Sequence, residues 1–104
     1  MITLQVLEFD EYCRRHGISC YYYASDNQPG EDDNVSFNHK FRSLRCHVHP
    51  DYISLYNENR EFVTFHHVNK ILVDEPGNDM VRYTCKVVCD GVYGKNIVYI
   101  IRMD

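Results

Sequence analysis

The residues best equipped for chemistry in this chain are its five cysteines and six histidines. Eight of the eleven fall into three groups. Cys13, His16 and Cys20 follow the spacing C-x2-H-x3-C. On a helix Cys13 and His16 lie one turn apart and can face one ion, and Cys20 can return to it after a turn at Gly17. Cys85 and Cys89 share one face if their segment is a strand. Cys46 precedes His47-x-His49, with the thiol on one side of an alternating strand and both imidazoles on the other. Zinc takes four Cys or His ligands in a tetrahedron, commonly as two short-spaced pairs. A structural Zn2+ held by Cys13, His16, Cys20, Cys85 and Cys89, four at a time, is therefore one expectation. The other is that the thiols fill the core, since cysteine behaves as a small hydrophobe and none of the spacings is C-x2-C.

A strand His-x-His also projects two imidazoles to one face, which is why metal-dependent hydrolases use that spacing. His47-Val48-His49-Pro50-Asp51 resembles the H-x-H of amidohydrolase and metallo-β-lactamase enzymes over five residues only. A small hydrolase centred on His47 and His49 is an alternative on that basis, although those folds use longer chains and further ligands. No G-x-S-x-G, P-loop or dinucleotide fingerprint is present. The pairs Asp10-Glu11 and Asp32-Asp33 read as solvated carboxylates rather than an acid–base dyad. The chain is thus expected not to be an enzyme.

The elements that must position these groups follow from periodicity. Phe9, Tyr12, Cys13 and His16 form one helical stripe over residues 8–16, and Gly17 supplies the stop. Residues 25–34 are polar and turn-rich, and are expected to be a mobile acidic loop. From Val35 to the end the chain alternates as strands punctuated by turns every 8–12 residues. Phe41 to His49 reads as one strand, followed by Tyr52–Tyr56, Phe62–His66, a run to Val73 with a bulge or short helical turn around His67–Lys70, Met80–Cys89 and Asn96–Met103. The expected fold is α+β in a single domain, 1–104: one N-terminal helix packed on a twisted antiparallel sheet of five to six strands, rolled toward a partial barrel.

Charge narrows the partners. The net charge is −4, and residues 1–34 hold seven acids against Arg14 and Arg15, a net −5. Such an end suits a basic partner and disfavours nucleic acid as a direct ligand. No leader, spanning segment or lipidation signal is seen, so a cytoplasmic location with reduced thiols is expected. The small size, Asp10-Glu11, Glu31-Asp32-Asp33 and the Tyr21–Tyr23 run make the chain similar in type to the small acidic inhibitors of phage and mobile elements, anti-CRISPR proteins among them. That resemblance implies a non-catalytic protein-binding inhibitor that blocks nucleic-acid loading of an RNA-guided nuclease with a basic surface. Its contacts would come from Glu31, Asp32, Asp33, Tyr21 and Tyr23. The remaining alternative is a nucleic-acid-binding accessory domain using Lys40, Arg42 and Arg45, the acid-free basic stretch.

Overall fold

A computed structural model describes residues 1–24, 40–43, 45–58, 62–77 and 82–104. The chain opens with a strand, β1 (Ile2–Leu4), and then a helix, α1 (Val6–Arg15). The helix starts where the Glu8 carboxylate accepts the Gln5 backbone N–H at 2.8 Å, covering a donor that the first turn cannot use. Gly17, at φ +67°, ends it in the left-handed region that glycine tolerates best. Phe9, Tyr12 and Cys13 are buried as one stripe. The solvent side is laced by i,i+4 pairs, Arg14–Asp10 and Arg15–Glu11, each 2.7 Å; such exposed pairs contribute about 0.3–0.5 kcal/mol each. No helix among the described residues is long and apolar enough to cross a membrane.

Eight further strands follow: β2 (Tyr21–Ala24), β3 (Lys40–Ser43), β4 (Arg45–Val48), β5 (Tyr52–Tyr56), β6 (Phe62–His66), β7 (Val68–Asp74), β8 (Tyr83–Asp90) and β9 (Asn96–Met103). They form two antiparallel sheets. One has six strands in the order β1-β7-β8-β9-β2-β3, the other three in the order β4-β5-β6. The ladder between β7 and β8 shifts register between Val68 and Lys70, where His67 holds φ +57°. Of the bulge and the short helical turn that the sequence left open here, the structure has the bulge.

The core lies between the sheets, with α1 against β4, β7 and β1. Ile71, Val73, Cys85, Val87, Ile101 and Met103 come from the large sheet and Ile53, Leu55 and Phe65 from the small one, with Phe9 from the helix. Each such aliphatic or aromatic side chain contributes about 1.5–3 kcal/mol when fully buried.

The α+β expectation is corrected by this arrangement. The protein is mostly β, with one short helix, and its strands form two open sheets rather than one sheet of five to six strands or a partial barrel. The reason lies in the stretch read as one strand from Phe41 to His49. It changes sheets partway: β3 pairs with β2, whereas β4 pairs with β5. At the crossing Ser43 is fully buried. Its Oγ lies 2.5 Å from the Arg45 carbonyl and 2.6 Å from that of Tyr56, and it accepts the Arg45 N–H at 3.1 Å. A hydroxyl has one proton and two lone pairs, so it serves one carbonyl at a time and the amide throughout.

Replacing Ser43 with Ala removes these partners from a buried corner, and an unpaired buried polar group costs about 1–3 kcal/mol. We expect the Ser43→Ala chain to lose stability of that order in urea unfolding with an unchanged m-value. A loss below about 0.5 kcal/mol would show that the crossing does not need the hydroxyl.

Candidate binding face

Alternation in the small sheet points one side of every strand inward and the other outward. Cys46, Val48, Ile53, Leu55, Val63 and Phe65 pack on the core. The opposite positions form three rows across the three strands. Arg45, Tyr56 and Phe62 make the first, and His47, Ser54 and Thr64 the second. The third is His49, Tyr52 and His66, where His49 and Tyr52 exchange backbone hydrogen bonds across the Pro50-Asp51 turn.

Six of these nine outward residues carry rings, one is Arg, and none is a carboxylate. Phe62 is 74% exposed and Tyr56 36%. The His49 ring stacks on Tyr52 at 4.4 Å and 11°, and Tyr52 also neighbours His66 at 6.1 Å and His47 at 6.0 Å. Ser54 and Thr64 share a hydroxyl–hydroxyl bond of 2.8 Å. His49 Nδ1 accepts the Asp51 N–H at 3.3 Å, and the Asp51 carboxylate lies 3.6 Å from His67 Nδ1 at the same end. The sequence had placed Arg45, His47 and His49 on one side of a strand, and they are there. Tyr52, Ser54, Tyr56, Phe62, Thr64 and His66 were missed as their companions. The signal was available, because Ile53 and Leu55 facing inward require Tyr52, Ser54 and Tyr56 to face outward.

The proposed zinc ligands are distributed differently. Cys13, Cys85 and Cys89 belong to the core cluster, with Cys46 packed against it. Cys20 precedes the inward-facing Tyr21 and lies outside that cluster, where Arg42 Nε donates to its sulfur at 3.2 Å. His16 is exposed, stacked on Tyr12 at 4.1 Å and 3.4 Å from the Tyr83 hydroxyl. Cys85 and Cys89 do share a face, but four residues of strand separate them by about 13 Å, whereas two thiolates on one zinc lie within about 4.6 Å of each other. Among the described residues, no three His, Cys, Asp or Glu side chains converge as metal ligands. This holds for His47 and His49 too.

Tyr21 and Tyr23 are 6% and 7% exposed and face the core, so they are not surface contacts for a partner. Glu31, Asp32 and Asp33 lie outside the described residues, as does the whole 25–34 loop. The basic stretch is divided by the sheet crossing: Arg42 stands on β3 beside Cys20 and Arg45 on the open face, while Lys40 is described only as a position on β3.

Burial controls the thiols. It pushes Cys13 and Cys89 up to about 11 and Cys46 to about 12, and raises Cys85 well above the ordinary thiol value. The Tyr21 hydroxyl is hydrogen-bonded to Cys13, and its own ionisation is also raised, chiefly by burial. The Tyr12 phenol, donating to Glu75 at 3.1 Å, is raised by burial first and by that carboxylate second. These thiols are protonated and unreactive near neutrality.

Because the folded values lie above the unfolded one, the stability these thiols contribute is whole below about pH 9 and falls as pH climbs toward 11–12. The unfolding midpoint is expected to drop over that range. At pH 8, Cys13, Cys46, Cys85 and Cys89 should resist a thiol reagent until the chain unfolds. Modification of Cys13 or Cys46 in the native chain as fast as in urea would contradict this.

Compared with known proteins, the chain matches no protein-family model, no curated protein and no solved structure.

Proposed function

We propose that the chain is a non-catalytic binding protein whose recognition surface is the open face of β4-β5-β6. One observation carries this reading: six rings and Arg45 are gathered on nine outward positions that include no carboxylate. On a solvated sheet face, polar residues ordinarily alternate with the buried ones. Here that side holds the residue types that concentrate at recognition surfaces, namely aromatics and arginine. Phe62, large and apolar, is 74% exposed on this side of the sheet.

Binding rather than chemistry suits the side chains. The Ser54 hydroxyl is engaged with Thr64, and His49 is held by its stack on Tyr52 and by the Asp51 amide. The expectation of a nuclease-directed inhibitor rested on Glu31, Asp32 and Asp33, which are outside the described residues, on the run containing the inward-facing Tyr21 and Tyr23, and on Asp10-Glu11, which pair with Arg14 and Arg15 on the helix surface. The proposal therefore moves the recognition surface to the small sheet and keeps only the non-catalytic binding role.

The test is a selection of ligands from random displayed peptides and random single-stranded oligonucleotides on the immobilised full chain. Enriched ligands are then measured on Phe62→Ala, Tyr52→Ala and, as a control on the helix surface, Leu7→Gln. Leu7 is 61% exposed on α1. We expect at least a tenfold loss with either face variant and none with the control. Ligands that bind all three variants equally would place recognition elsewhere and overturn the proposal.

A further inference from the structure

The size and charge of the open face restrict what can occupy it. Three strands about 4.8 Å apart and five residues long at about 3.4 Å each give a platform of roughly 14 by 17 Å, about 250 Å². A stable protein–protein interface covers about 800 Å² on each side. By itself the face is narrow for a folded partner, and an occupant that used it alone would be slender and flat.

Chemistry selects among slender ligands. A cationic ligand would meet Arg45 with no carboxylate among the nine outward positions to offset it. The nearest described acids stand at the margins: Asp51 in the hairpin turn beside His67, and Glu58 after the end of β5. Arg45 is the one fixed cation on the face, in the row with Tyr56 and Phe62. Planar groups fit the rest. The His49 ring lies parallel on Tyr52 at 4.4 Å, and the exposed His49 is the side from which a further aromatic plane can extend that stack. Tyr56 and Phe62 sit opposite each other on neighbouring strands. Sheet-borne rings that stack unpaired bases, with a guanidinium at the backbone, are a physical solution to holding single strands.

Resting on the binding-face reading above, we infer that this face takes two or three consecutive unpaired bases of single-stranded nucleic acid. The bases stack on the His49–Tyr52 pair, Tyr56 and Phe62, and one phosphate meets Arg45. Duplexes are refused, because their bases are already stacked and paired. The chain's net charge of −4 opposes a polyanion, so stacking rather than charge supplies the affinity. One phosphate contact gives a shallow salt dependence, a log–log slope of about −0.7 for a single strand.

The experiment is a titration of the 15N-labelled full chain with hexanucleotides of uridine, thymidine and adenosine, and with a duplex of mixed sequence. Amide shifts are expected at Arg45–Val48, Tyr52–Tyr56 and Phe62–His66 with the single strands only. Phe62→Ala and Tyr56→Ala should each weaken binding at least fivefold. Arg45→Gln should flatten the salt dependence. Both tyrosine and phenylalanine sites face outward, and unchanged amide spectra of the free variants will show that they fold. Tyr56→Phe, which keeps the ring, should restore affinity. Absence of shifts at millimolar oligonucleotide, shifts confined to another surface, equal binding of duplex, or a steep salt slope would each overturn the inference. If selected peptides move the same amides while oligonucleotides do not, this inference fails and the binding-face reading stands. If neither moves them, both fall.

Discussion

The structure turns on the sheet crossing at Ser43. A strand that leaves one sheet for another abandons its ladder partners, and its backbone groups must find new ones in a place closed to water. The buried Ser43 hydroxyl meets that need by reaching the Arg45 amide and the carbonyls of Arg45 and Tyr56. It ties the end of β3 to both β4 and β5. The consequence is felt on either side: Arg42 remains with the six-stranded sheet beside Cys20, and Arg45 becomes the first residue of the open face. A short polar side chain fits such a corner, whereas an apolar one leaves three backbone groups with fewer partners.

Once the small sheet exists, the rest of its chemistry follows from period-two alternation. Ile53, Leu55 and Phe65 close the sandwich against the large sheet, and their outward neighbours are left as a ring-rich platform. The same packing decides the cysteines. A thiol among aliphatic side chains ionises only against the cost of desolvation, which is why the core sulfurs are raised to about 11–12 where values are defined. Cys20 stands apart from the others: it precedes β2, is buried, and lies outside the core cluster against Arg42.

Much of the local structure was legible in the sequence. The helical stripe of Phe9, Tyr12 and Cys13, the Gly17 stop, the bulge near His67 and the strands Tyr52–Tyr56, Phe62–His66 and Asn96–Met103 all follow from short-range pattern. What was not legible depends on partners far along the chain. Nothing in the alternation from Phe41 to His49 marks a change of sheet, since the mark is one hydroxyl whose acceptor, Tyr56, lies 13 residues away. Three consecutive tyrosines at 21–23 do not declare which of them face inward. Cys85 and Cys89 were rightly set on one face, but a shared face is not a shared site when each residue of strand adds about 3.4 Å. The open face itself was half visible: each strand's outward set can be read alone, while the rows that join Arg45 to Tyr56 and Phe62 require the register.

A face this small must draw its strength from order rather than area. Binding by a flexible surface loses affinity to the freezing of side chains, at about 0.5–1.5 kcal/mol for each rotamer-rich residue held still. Tyrosine and phenylalanine have few rotamers to lose, and Tyr52 is already flanked by three imidazoles. The inward residues between these rings, Ile53, Leu55 and Phe65, are locked in the core, so the backbone beneath the platform is fixed before any ligand arrives. The acidic remainder of the chain works in the other direction, slowing the approach of any anion. Stacking acts only at contact and charge acts at a distance. The arrangement therefore favours ligands that present exposed planar groups over those that present charge alone.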